Sequence, residues 1–418
     1  MKSDYRRLGD YIQELKVRNT EEKAEQLLGI NINKFFMPSV ANVVGTDLSV
    51  YKLVRKNQFA CNRMHVGRDY RLPISMSKSN DEFMVSPAYD VFEIIDTKVL
   101  NPEYLMMWFT RREFDRNAWF YTDADVRGGL SWKSFCDIQI PIPHIHKQRE
   151  IVKEYNVIQN RIALNQQLIQ KLEETAQAIY REWFVEFEFP YDFAQGKPDE
   201  KGKPYKSSGG EMVWCEELGK EIPLGWEYGT LKNISDQLMG FAFKGEQYTS
   251  ESGISVLRGE NVSERFLRWD NHKKWNDVIV PRMEKCYLKE NDIVIGMDGS
   301  KVGKNWAKVS RYDLPLLLAQ RVSCLRGKRK EYQNFIFYSM CVLDFESYVS
   351  QVQTGTSIPH ISGQQIFDFP ILVPEKSTIN KYDKVISKMV IHNYNIIKEN
   401  QKLTELKDLL LSKLATIE

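Results

Sequence analysis

The segment QKLEETAQAIYREWF, Gln170 to Phe184, returns as QKLTELKDLLLSKLA, Gln401 to Ala415, 231 positions later. A repeat constrains a fold more than any single motif, because each copy must bury its apolar face with the same elements. The same offset pairs Asp137-Ile138 with Asp368-Phe369, Pro143 with Pro374, and Ala88-Tyr89-Asp90-Val91 with Ala319-Gln320-Arg321-Val322. Upstream the register drifts by a few residues, so that Asn57-Gln58-Phe59-Ala60-Cys61 lies opposite Asn291-Asp292-Ile293-Val294-Ile295. A loop insertion leaves drift of that size. Agreement outside the helices argues against chance similarity of two amphipathic segments. The chain is therefore read as two copies of one unit, each a globular part of roughly 145 residues followed by a long helix.

In the first copy a seam runs through Ile151, Tyr155, Ile158, Ile162, Asn165, Ile169, Leu172, Ala176, Ile179 and Trp183. Its alternating steps of four and three are a coiled-coil signal. The second seam runs through Tyr382, Ile386, Met389, Asn393, Ile396, Asn400, Leu403, Lys407, Leu410 and Leu414. Its polar members suit a role in fixing register. Two helices of matched length, each about 35 residues or roughly 50 Å, are expected to pair antiparallel. The pairing is expected at Ile158, Ile162, Ile169 and Leu172 with Met389, Ile396, Leu403 and Leu410. The Gly-, Pro-, Lys- and Ser-rich stretch from about Phe187 to about Pro223 has no sustained period and reads as a connector. Trp183, Phe184, Phe187, Phe189 and Tyr191 at its start are expected to pack the helix end. Within the copies, β-prone runs such as Asp292 to Ile295 and Val322 to Leu325 alternate with helical stretches such as Pro102 to Arg112 and Tyr332 to Ser347. That is an α+β pattern.

With 418 residues the chain can form two or more cores, and 42% hydrophobic with 27% charged residues is an ordinary globular composition. A formal net charge of +2 announces no nucleic-acid binder by itself, so any basic surface must be local. Six cysteines without C-x-x-C spacing suggest reduced, mostly buried thiols and no zinc. The opening MKSDYRRLGDY has no apolar core of signal-peptide length and no apolar run is long enough for a bilayer, so a cytoplasmic location and no membrane partner are expected.

Bond-making chemistry is not evident. In GSKVGKN, Gly299 to Asn305, Asp298 stands where a phosphate loop needs its first glycine, and Asn305 replaces the Ser or Thr after Lys304. His144 and His146 lack a cysteine or carboxylate at ligand spacing. No G-x-S-x-G, H-E-x-x-H or N-P-P-Y element is present. The chain is expected to be no enzyme and to need no cofactor or metal.

Local basic clusters remain. In the first copy they hold Arg63, His65, Arg68 and Arg71, and Arg127 in DADVRGG; in the second, Arg258 and Asn261, then Lys301, Lys304 and Asn305, then Gln320 and Arg321. Arginine with Asn or Gln reads guanine and adenine edges, while lysine and glycine-rich amides position phosphates. A solvated loop is the bland reading of each cluster alone; their occurrence in both copies favours DNA contact for the group.

These features resemble the specificity subunit of type I restriction-modification enzymes. The resemblance is carried by the two similar halves, by the proline-bounded exits Ile138 to Pro143 and Phe369 to Pro374, and by AIYREWFVEFEFP, KPYKSSGGEMVW and ELGKEIPLGWEYGTLKNI in the centre. TGTSIPHIS, Thr354 to Ser362, resembles the motif before the exit strand of that family's recognition domains, and adds Thr356 to the DNA-contact candidates. RGGLSW, Arg127 to Trp132, stands at the place of Ile358 to Gly363 without the G-T-S element. The resemblance implies an α+β fold with two pseudo-repeated target recognition domains separated by two long antiparallel coiled-coil helices. The expected boundaries are 1–145 and 223–374 for the domains, 146–186 and 375–418 for the spacer helices, and 187–222 for the connector. It also implies a non-catalytic reader of a bipartite site in double-stranded DNA, with two methyltransferase subunits docked on it and restriction/translocase subunits joining through the complex. A coiled-coil scaffold binding other proteins through its globular ends is the alternative; a nuclease or methyltransferase with an unfamiliar site is a third.

Overall fold

The heptad seams form the two longest helices. In the computed structural model, which describes residues 5–39, 45–64, 66–122, 128–276, 278–355 and 357–414, these are Ile145–Phe184 and Lys376–Lys413. Seam positions turn inward. Ile151, Ile158, Asn165, Ala176, Trp183, Tyr382, Ile386, Ile396 and Leu414 are buried, and Ile162, Ile169, Leu172, Met389, Leu403 and Leu410 are partly buried. Apolar residues off the seam, such as Val157, Leu164, Ile397 and Leu409, are exposed. The chain divides into two units, Met1–Leu164 with Asn400–Glu418 and Asn165–Glu399, so each long helix contributes to both. In the first unit Ile151 and Val152 share a core with Leu411 and Leu414. In the second, Ala176, Tyr180, Trp183 and Phe184 share one with Ile379, Tyr382 and Ile386. The start of the first helix thus meets the end of the second, and its end meets the other's start, as antiparallel pairing requires.

The first unit is built on a four-stranded antiparallel sheet. Its strands are β2 (Ile12–Leu15), β3 (Phe59–Cys61), β4 (Ile74–Met76) and β5 (Asp90–Ile94), in the order β2-β5-β3-β4. The strand before them, β1 (Tyr5–Arg7), pairs antiparallel with β6 (Gln139–Pro141). On one face lie α1 (Pro102–Phe109), α2 (Arg112–Phe120) and α3 (Trp132–Asp137). α1 starts where Asn101 accepts from the Tyr104 amide and Pro102 presets the first turn. The period-two alternation of β-strands sends Phe59 and Phe92 to this face, stacked at 5.0 Å and met edge-on by Phe109. Val54, Ala60, Phe83, Val85 and Val91 close the other face.

The second unit repeats this plan. Strands β7 (Glu227–Thr230), β8 (Ser235–Met239), β9 (Ile293–Gly296), β10 (Trp306–Lys308), β11 (Val322–Gly327) and β12 (Pro370–Val373) give a pair β7·β12 and a sheet β8-β11-β9-β10. Helices α4 (Tyr332–Val342), α5 (Phe345–Val352) and α6 (Gly363–Phe367) follow. The starts of α3 and α6, of β6 and β12, and of the two long helices are each 231 positions apart, whereas β3 and β9 start 234 apart. Asn57 and Asn291, which precede the drifted strands, share a left-handed conformation (φ 65° and 70°), and their amides donate to Ser77 and Val309 carbonyls at 2.8 Å each. The copies differ in their outer strands. Lys52–Val54 pairs antiparallel with Phe83–Val85, while Ile254–Leu257 runs parallel to Leu316–Leu318 within a four-stranded sheet.

The connector is folded. Pro190–Asp192, Lys197–Pro198 and Lys203–Pro204 form a small sheet, and Met212–Cys215 pairs with Lys220–Pro223. Its order comes from aromatic burial: Phe189 stacks on Tyr205 at 4.6 Å and on Trp226 at 5.2 Å, and Phe184 meets Trp226 at 5.7 Å. All six cysteines are free, and all but Cys341 are buried.

Half-buried polar contacts link elements of the second unit. Lys308 Nζ donates to Asn334 Oδ1 at 2.8 Å, Asn334 Nδ2 donates to Asp383 Oδ1 at 2.7 Å, and the Tyr338 hydroxyl donates to Glu173 at 3.1 Å. The Lys308 ammonium lies 4.0 Å from the centre of the Phe337 ring, and burial pushes its pKa down from 10.5 to about 8. Between pH 8 and 10.5 the unfolded lysine is protonated while the folded one is not, so this group's contribution to stability rises with pH across that window. At neutral pH the desolvation cost is fully present, on the order of 3 kcal/mol. Lys308→Met should therefore lose this pH dependence. The check is the difference between native and variant denaturant stabilities from pH 7 to 11, in which tyrosine and cysteine titrations cancel. A flat difference contradicts the assignment.

Candidate nucleic-acid interface

Three segments meet at one end of the second unit's sheet. β9 ends at Gly296 opposite Val322, so the loop after β9 and the turn before β11 lie side by side. The loop contains SKVGKN and the turn contains Gln320-Arg321. The segment before α6 is tied to the loop, and the loop to the turn. Met297 N donates to Arg321 O, Ile361 N to Met297 O and Gly299 N to Pro359 O, all at 3.0 Å. Thr354 and His360 exchange backbone hydrogen bonds at 2.9 and 2.8 Å.

The first unit has the same frame. Leu130 N donates to Arg63 O at 3.0 Å and Gly67 N to Gly128 O at 2.7 Å, the counterparts of the Ile361–Met297 and Gly299–Pro359 bonds. Ser131 and Ser362 cap the following helices alike, accepting from the Ser134 and Gln365 amides. From Gly128 to Trp132 the chain therefore follows the backbone path of its counterpart without the G-T-S element. Glycine is needed where the chains cross: a Cβ on Gly67 would lie 2.7 Å from Gly128, and one on Gly128, itself at φ 58°, 2.8 Å from Gly67.

The side chains are charged and mostly held. Asp298 accepts an ion pair from Arg321 at 3.2 Å and faces His360 Nδ1 with its other oxygen. Lys301 pairs with Glu264 at 2.8 Å and Lys304 with Glu346 at 2.9 Å. Hydrogen bonding to these carboxylates raises the Lys304 pKa and, from the other side, lowers that of Glu264. Both lysines are exposed, so solvent screening leaves these pairs weak and a phosphate can compete for the ammonium. In the first unit Asp90, which stands 231 positions before Arg321, accepts from Arg63 at 2.6 Å. A cavity of about 260 Å³ lined by Arg63, Asp90, Gly129 and Ser131 opens there.

Of the residues expected at DNA, Arg68, Arg71, Lys301, Lys304, Gln320 and Arg321 are exposed. Arg68 rests on Asp69 at 2.7 Å, and Arg71 donates to Asn33 at 3.1 Å. The loop carrying both is fixed by the Lys34–Asp115 pair (2.7 Å), since Asp115 also accepts from Leu72 N at 3.1 Å. Burial lowers the Lys34 pKa despite its partner. Three further candidates are held within the fold. Asn261 is 1% exposed; its side chain accepts from Arg258 N and donates to Arg268 O, and so shapes a turn. The Arg258 side chain, 22% exposed, pairs with Glu260 and donates to Asn271 O at 2.9 Å. The Arg63 side chain, 18% exposed, is shared between Asp90 and the Leu130 carbonyl. Asn305 has a buried Oδ1 without a hydrogen-bond partner among the described residues. His65, Arg127 and Thr356 lie outside the described residues.

Asp298, His360, Glu264 and Glu346 were missed as members of this surface. Only Asp298 left a trace in sequence, as the residue that spoils a phosphate loop. Among the described residues no group of three or more His, Cys, Asp or Glu side chains is placed to hold a metal, and no helix is long and apolar enough to cross a membrane.

Comparison with known proteins agrees with this architecture. Residues 223–408 match the family model of the type I restriction modification DNA specificity domain. The specificity subunit of the Escherichia coli type I restriction enzyme EcoAI is 34% identical over 197 residues, 45% of this chain and 32% of that protein, so the match spans about a third of its length. The HindI specificity subunit of Haemophilus influenzae is 21% identical over 91% of both chains. The S subunit of a type I restriction-modification system from M. genitalium shares the fold, with a TM-score of 0.57 at 14% identity over 98% of this chain and 95% of that one. The matched stretch covers most of the second unit's globular part, and the first unit repeats its strand order and loop frame: the chain is similar to the specificity subunits of type I restriction-modification systems.

Proposed function

We propose that this subunit reads a DNA site split into two parts, one part per unit, and itself performs no chemistry. The observation that carries the reading is the duplicated loop frame, with the same backbone hydrogen bonds at Arg63–Leu130 and Met297–Ile361 beneath different side chains. A shared frame under divergent side chains suits recognition of different half-sequences in one geometry. The long helices run through both units and set the separation of the half-sites, while docking two methyltransferase subunits; restriction and translocase subunits join through that complex. The assignments of residues 1–145 and 223–374 as recognition domains, 146–186 and 375–418 as spacers, and 187–222 as connector belong to this reading. So do DNA contacts by Arg68, Arg71, Lys301, Lys304, Gln320 and Arg321.

With a net charge of +2 and lysines already facing carboxylates, the isolated subunit should hold DNA weakly. With methyltransferase subunits the binding should tighten, and it should fall steeply as salt rises, because phosphate contacts release counterions. The check is duplex binding with and without those subunits between about 50 and 200 mM salt. Absence of duplex affinity in the complex, with salt-insensitive binding of other proteins, would favour a scaffold.

A further inference from the structure

We infer that Arg321 is the side chain with which the second unit reads a guanine, and that Asp298 and His360 are its positioning residues. The inference rests on the DNA-reading assignment above. Arg321 occupies the turn into β11 at φ 65°, a conformation uncommon for a residue with a side chain. The backbone there is held on both sides: its carbonyl accepts from Met297 N at 3.0 Å, and the neighbouring Gln320 N donates to Phe241 O at 2.8 Å. The side chain is 68% exposed, with Nη1 facing Asp298 Oδ2 at 3.2 Å. Asp298 cannot swing freely, because its Oδ1 faces His360 Nδ1 and the His360 backbone is locked to Thr354. A carboxylate facing one corner of a planar fork biases the direction of its remaining N–H groups. A directed arginine fork matches O6 and N7 of guanine.

The other exposed cations of this surface are less suited to a base edge. Lys301 and Lys304 carry point charges, which position phosphates without discriminating bases. In the first unit the residue 231 positions before Arg321 is Asp90, and its arginine partner Arg63 is spent on Asp90 and Leu130 O. The inference is therefore confined to the half-site of the second unit.

The test uses the subunit assembled with its methyltransferase subunits and duplexes in which each base pair of the half-site is replaced in turn. In the native complex one G·C pair should matter through Arg321, its replacement lowering methylation about ten- to hundred-fold. Arg321→Ala should abolish the preference at that pair alone. Arg321→Lys, which keeps the charge and loses the fork, should do the same, and so separates reading from charge and from misfolding. Asp298→Asn and His360→Gln should weaken the preference at the same pair and no other. Unchanged preference at every pair in Arg321→Ala, or loss confined to an A·T pair, overturns the inference. A native complex without any sequence preference overturns the DNA-reading assignment instead.

Discussion

Replacing Tyr382 with alanine is expected to destabilise the second unit by about 3–5 kcal/mol, the cost typical of deleting a large buried aromatic side chain. Tyr382 is fully buried where the two long helices meet, with ring centres of Trp183 at 5.7 Å, Phe184 at 4.9 Å and Tyr180 at 6.2 Å. Phe184 in turn packs on Phe335 of α4 and on Trp226 just before β7, so the cavity would open where both long helices, α4 and the start of β7 meet. Tyr382→Phe separates packing from hydrogen bonding. The Tyr382 hydroxyl is buried without a hydrogen-bond partner among the described residues. An unsatisfied buried polar group costs about 1–3 kcal/mol, so its removal should leave stability unchanged or raise it. Denaturant titration of both variants decides the matter. Equal destabilisation by alanine and phenylalanine would mean that the hydroxyl is satisfied and the packing argument incomplete.

A larger functional effect is expected from lengthening the helices. One added heptad in each, after Leu164 and after Glu399, falls at the division between the two units and leaves the recognition loops of both untouched. Seven residues add about 10 Å of helix, and a whole heptad preserves the facing of the seams. At roughly 3.4 Å per base pair, the unread gap between the half-sites should grow by about three pairs. The starting gap itself follows from geometry. Half-sites one turn apart, roughly 10 base pairs between centres, leave about 5 to 8 unread pairs if each unit reads 3 or 4. Three extra pairs also rotate one half-site by nearly a third of a turn, so activity on the lengthened site should be reduced but not abolished.

The fold was legible where burial repeats with a period. The heptads placed both long helices, and the 231-residue offset recurs in the starts of β6 and β12 and of α3 and α6. Even the drift to 234 at Asn57 and Asn291 marks a conserved left-handed turn before β3 and β9. The aromatic run from Trp183 to Tyr191 announced a packed junction, but not that Tyr205 and Trp226 complete it, because partners far along the chain leave no periodic signal. The site was legible only in residue type. Arginine in a loop looks the same whether it stays mostly exposed beside a carboxylate, as Arg321 does beside Asp298, or is largely covered and shared between a carboxylate and a carbonyl, as Arg63 is between Asp90 and Leu130. Asn261 shows the same limit: Asn is favoured both at base edges and in turns, and only the tertiary fold decides between them.

The central claim is that two units joined by paired helices read two parts of one site at a fixed distance. The most direct measurement is methylation of a plasmid library with randomised gap length by the subunit in complex with its methyltransferase subunits, comparing the native chain with the lengthened one. The account predicts two short specified blocks around one preferred gap for the native chain, and the same two blocks around a gap about three pairs longer for the variant. An uninterrupted site, or altered blocks at an unaltered gap, would contradict it.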